Sequence, residues 1–286
     1  MDIDHRQLAA HAFAIINPLQ VDRSQWADLP TTALTPSALA AKADSMPVLL
    51  DLTRLDESRR VAVLTRADAW NKDYDAPFFS LLLKTSAAPA RVAMHLSGQL
   101  LHDAPDGTRT LLRWYDPRVF QHLRWLLTDA QLRRLGGPVE AWAWRDANTR
   151  WHTHDVRAGT DIDTRLRLST EQWAVIGRMG VLNRTIAQLR RNAMEIVLND
   201  DAFRRIDACL RQAYDAHEMT DEADARLFAE QGVCYPGIHA HPEVQRRLAR
   251  ARERSITYVG ACVDLDPAAL DNRMPERAPQ RKEALT

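Results

Sequence analysis

Glycine is scarce in this chain, cysteine scarcer, and no apolar run is long. With 10 glycines among 286 residues, there is little room for the loops that cradle phosphates. The nearest cluster, Gly136-Gly137-Pro138, has no Lys or Ser/Thr placed to complete one. The Gly-x-Ser-x-Gly elbow that exposes a nucleophilic serine is missing as well. The three cysteines, Cys209, Cys234 and Cys262, are odd in number and widely spaced, in a chain long enough to bury a core without staples. Reduced thiols are therefore expected. No stretch approaches the roughly 20 apolar residues of a membrane helix. The opening Met1-Asp2-Ile3-Asp4-His5-Arg6 lacks the basic start and apolar core of a secretory signal. Together these favour the cytoplasm. An excess of one charge is lacking too: 38 Lys+Arg stand against 38 Asp+Glu. Nothing in the overall field points to nucleic acid or to a membrane surface as partner.

What is present divides into two halves with different patterning. Up to about Arg157, short apolar runs alternate with breakers, as buried strands do. Phe13-Ala14-Ile15-Ile16 stops at Asn17-Pro18, and Val48-Leu49-Leu50-Asp51-Leu52 follows Pro47. Thr110 to Tyr115 lies between the turn Pro105-Asp106-Gly107 and Asp116-Pro117, and Val139 to Trp144 follows Gly136-Gly137-Pro138. Helical stretches over Pro89–Leu101 and Arg118–Leu135 interleave with them, which favours a layered α/β arrangement.

From Ser169 the chain reads as helix. Ser169-Thr170-Glu171-Gln172 has the spacing of a capping box. Trp173, Ile176, Met179, Leu182, Ile186, Leu189, Ala193 and Ile196 then recur at intervals of three and four, marking one face of a long helix. Asp200 or Asp201 can cap a second helix with apolar positions Phe203, Ile206, Leu210, Ala213, Tyr214 and His217. Thr220 can cap a third, and Pro242 suits the first turn of a fourth. The expected fold class is α/β: an N-terminal lobe (residues 1–157) with a mixed sheet flanked by helices, followed by an all-α C-terminal lobe (158–266). The Pro-, Arg- and Glu-rich segment 267–286 is expected to be a poorly ordered tail.

Chemistry-bearing clusters are few. Cys234, His239 and His241, around Tyr235-Pro236-Gly237, are the best metal candidates, but no fourth ligand is near and histidines are common in such turns. Trp151-His152-Thr153-His154-Asp155 could suggest acid–base or metal chemistry; two alternating histidines fix neither geometry nor pKa, and an exposed connector is the simpler expectation. No catalytic, metal or cofactor-binding residue is therefore assigned.

The one dense constellation is Arg113-Trp114-Tyr115-Asp116-Pro117-Arg118-Val119. Structurally, Asp116 can cap a helix that starts at Pro117 and continues through Phe120, Leu123, Leu126 and Leu127, while Arg113 and Arg118 pair with it. Functionally, Arg113, Trp114, Tyr115, Asp116 and Arg118 could face a partner, because Arg, Tyr and Trp carry a large share of interface energy.

This run, followed by Leu126-Leu127-Thr128-Asp129-Ala130-Gln131 and then Gly137-Pro138, resembles the family of type VI secretion effector adaptors, long catalogued only as a domain of unknown function. In that family a strand ending in Asp-Pro-Arg leads to a helix, a T-x-x-Q segment and a Gly-Pro before another strand. Ala14-Ile15-Ile16-Asn17 and Met46-Pro47-Val48-Leu49-Leu50-Asp51-Leu52 resemble its first two strands. Asn17 stands where an acid is more frequent, and His95-Leu96-Ser97 where His-Leu-Arg is common. Leu168-Ser169-x-x-Gln172 and His241-Pro242 resemble the helical extension of many members. The resemblance implies a cytoplasmic, non-enzymatic adaptor without cofactor. Its partners would be a protein effector (toxin) cargo and the spike (VgrG) protein of the secretion system. The rival readings are a metal-dependent hydrolase built on the His/Cys residues and a general scaffold subunit of the apparatus.

Overall fold

The computed structural model describes residues 8, 10–146, 148–156, 165–192, 196–253 and 256–271. It divides into two compact units, one ending at Ala174 and the other beginning at Val175. The expected boundary at Arg157 lies outside the described residues, and the observed division falls inside a helix.

In the first unit six strands form one sheet: β1 (Phe13–Ile16), β2 (Thr31–Ala33), β3 (Val48–Asp51), β4 (Leu81–Lys84), β7 (Ala141–Arg145) and β8 (Trp151–Asp155), in the order β2-β3-β1-β4-β7-β8. A separate two-stranded ribbon pairs β5 (Leu101–Asp103) with β6 (Arg109–Leu111). Every residue of β1 and β3 is buried, which is why both read as unbroken apolar runs rather than alternations. One face carries Ala14, Ile16, Leu50, Leu82 and Ala143. They share a core with Val63, Leu64, Ala67 and Trp70 of helix α1 (Glu57–Asp73), spaced to form a single stripe. On the other face Trp142 and Trp144 pack against Phe120.

A mixed sheet was expected; all pairings in it are antiparallel. The interleaved β-α-β pattern behind that expectation is real, since β3 and β4, joined through α1, run parallel to each other. They are not neighbours, because β1 lies between them and is antiparallel to both.

Other local readings change for identifiable reasons. Thr110–Tyr115 is not one strand: pairing stops at Leu111, and Arg113–Asp116 closes a turn through Asp116 N–H to Arg113 O at 3.0 Å. A strand would send Trp114 and Tyr115 to opposite faces, whereas the turn buries both. The stretch over 118–135 is two helices, α3 (Pro117–Leu126) and α4 (Asp129–Gly136), because Thr128 restarts the chain with a capping box. The stretch from Pro89 forms α2 (Pro89–Gly98). Trp151–Asp155 is the edge strand β8 rather than a connector.

The second unit takes in most of α5 (Thr170–Arg191), then α6 (Asp200–Asp215), α7 (Glu222–Cys234), α8 (Pro242–Arg252), α9 (Tyr258–Ala261) and α10 (Pro267–Asp271). Met179, Leu182, Ile186 and Leu189 of α5 are buried as expected, whereas Trp173 and Ile176 are half-buried. Ile196 lies beyond the helix, and Ala193 lies outside the described residues. The caps shift by one residue. Asn199, not Asp200 or Asp201, accepts from Ala202 N–H, and Asp221, not Thr220, accepts from Ala223 and Asp224 N–H. The neighbouring acids instead sit in the first turns, favoured there by the helix dipole. Pro242 opens α8 as expected. Of the segment expected to be disordered, residues 267–271 form α10, capped by Asp266; residues 272–286 lie outside the described residues.

Candidate partner-binding site

The constellation around Asp116 is built from the turn that joins β6 to α3. Asp116 is 2 % exposed, and its Oδ1 accepts from the Arg118 backbone N–H at 3.0 Å, capping α3, with Pro117 in the first turn. The same carboxylate receives Arg118 Nε at 3.1 Å and Nη2 at 2.9 Å. Arg113 Nη2 adds a third guanidinium donor at 2.9 Å on Oδ2. The Arg118 guanidinium is held above its ordinary pKa chiefly by these hydrogen bonds to Asp116. A buried anion needs such compensation. The arginines meet it from the surface, their side chains 43 % and 59 % exposed.

Trp114 and Tyr115, also expected at a partner surface, are core residues. Trp114 packs edge-on against Tyr115 and Trp142, both at 5.9 Å between ring centroids. The aromatic series continues through Phe120 and Trp144 to His152, which stacks on Trp144 at 5.3 Å. The Arg124 guanidinium lies 4.7 Å from the Trp144 ring centroid. Burial raises the Tyr115 phenol pKa. Of the five expected contact residues, only Arg113 and Arg118 present substantial surface.

The remaining motif residues brace this unit. Thr128 Oγ1 accepts from Gln131 N–H and Gln131 Oε1 accepts from Thr128 N–H; Ser169 and Gln172 repeat the arrangement at the start of α5. The two boxes interlock. Gln131 and Gln172 exchange a pair of amide hydrogen bonds, both 2.8 Å, and each also donates to a backbone carbonyl, of Arg167 and Leu126 respectively. Sequence spacing reveals each box but not their union, because the partners lie 41 residues apart. His95 Nε2–H reaches the carbonyls of Arg134 and Leu135, both at 3.1 Å, at the end of α4. Gly137 follows with φ +54, and a Cβ there would collide with the His95 ring. The glycine of the Gly-Pro pair is thus required by backbone conformation and by close approach.

The metal candidates are dispersed. His241 caps α8 by accepting Glu243 N–H on Nδ1. His239 lies face to face with Phe228 at 3.5 Å, and its pKa is lowered to about 4, mainly by burial and then by His217. Burial pushes the Cys234 thiol up to about 11, away from the thiolate a metal or nucleophilic site would need. His152 bonds Asp146 at 2.8 Å on the edge hairpin, and Asp146 stays below the usual carboxylate range through its hydrogen bonds to His152 and the Arg150 and Asn148 amides. Among the described residues, no three His, Cys, Asp or Glu side chains gather as metal ligands would, and no helix is long and apolar enough to cross a membrane.

No curated protein and no solved structure matches the chain. Residues 13–134, from the start of β1 into α4, match the family model of a domain of unknown function, DUF4123.

Proposed function

We propose that this protein is an adaptor that binds a type VI secretion effector in the cytoplasm and helps load it onto the spike protein, acting by binding rather than by catalysis. The observation that carries the reading is the family match over residues 13–134, since that family is generally linked to type VI effector adaptors. The matched segment includes the Asp116 turn, whose two surface guanidinium groups are fixed by one buried carboxylate. Pre-positioned arginines lose less freedom on binding than mobile ones, which suits a contact surface for a carboxylate-bearing partner. Arg113 and Arg118 are the residues through which a partner would be held.

The test is affinity capture from a lysate of the native host, with mass spectrometry of co-eluting proteins, comparing the wild type with Arg118→Glu. Recovery of a spike protein with one toxin-like partner, lost or reduced in a variant whose circular dichroism is unchanged, supports the reading. Recovery of neither protein overturns it. Spike capture that persists in strains lacking each effector favours a scaffold subunit instead.

A further inference from the structure

We draw no further inference here: the strongest candidate, the groove of about 500 Å³ between the edge strand β2 and helix α2, lined by Ala33, Thr35, Ala93, Met94, Ser97 and Leu101 among others, carries nothing because nothing in the structure shows what covers it.

Discussion

Replacing Asp116 with alanine removes two kinds of support at once, and the structure separates them. The first is the helix cap on Arg118 N–H; losing an aspartate cap costs about 0.5–2 kcal/mol. The second is the pair of guanidinium contacts. Both arginines are more than two-fifths exposed, so each contact is discounted for solvent screening to about 0.2–1 kcal/mol. The sum is a loss of about 1–4 kcal/mol, and at about 2–4 °C per kcal/mol for a unit of this size the melting temperature should fall by about 2–15 °C. All eight tryptophans lie at or before Trp173, within the first unit, so intrinsic fluorescence follows that unit alone. Asp116→Asn keeps the capping oxygen but loses the charge, and should cost about half as much. An alanine variant melting within about 1 °C of wild type would refute the reasoning, and equal losses for alanine and asparagine would assign the whole effect to charge.

Gly137→Ala should destabilise the first unit by about 2 kcal/mol or more, since it adds a Cβ at φ +54 and drives it into the His95 ring; denaturant unfolding followed by tryptophan emission checks this. A double-mutant cycle over Gln131→Ala and Gln172→Ala should show a coupling of about 1 kcal/mol from the reciprocal amide pair, whereas additive losses would mean that the boxes act independently. The helical unit should lose stability in acid. His239 has a folded-state pKa of about 4 against an ordinary 6.5, so the unfolded chain binds the proton more readily. The stabilisation is complete above about pH 6.5, declines as pH falls towards 4, and amounts to about 3 kcal/mol. His239→Gln should flatten that slope in unfolding curves collected across the window.

Much of the first unit was readable because its signals are local. Phe13–Ile16 and Val48–Leu52 are apolar runs between breakers, and Asp116-Pro117 states both the end of a turn and the start of a helix. The remainder depended on neighbours distant in sequence. Nothing near Phe13 reveals that its strand separates β3 from β4, and so a sheet of antiparallel neighbours read as mixed. Trp114 and Tyr115 have the composition of an interface and the burial of a core; composition cannot distinguish the two, because large aromatics serve both. Trp151–Asp155 is polar enough to read as a loop, yet an edge strand needs only one buried neighbour, which β7 provides. In the candidate site the Asp116 clasp was legible from three residues of local sequence. The interlock of Gln131 with Gln172 was not, since the two lie 41 residues apart.

The central position of β1 has a consequence for synthesis. This strand leaves the ribosome before either of its partners, and the register Phe13↔Asp51 and Phe13↔Leu83 means that the middle of the sheet cannot close until residue 83 has emerged. Until residue 51 has emerged Phe13–Ile16 has neither partner, and until residue 83 this fully apolar β segment keeps one edge open, the kind of sequence that associates with other chains when left exposed. In ribosome-arrested chains, β1 should resist protease only once β4 has cleared the exit tunnel, and nascent chains shorter than that should be the ones that depend on chaperones.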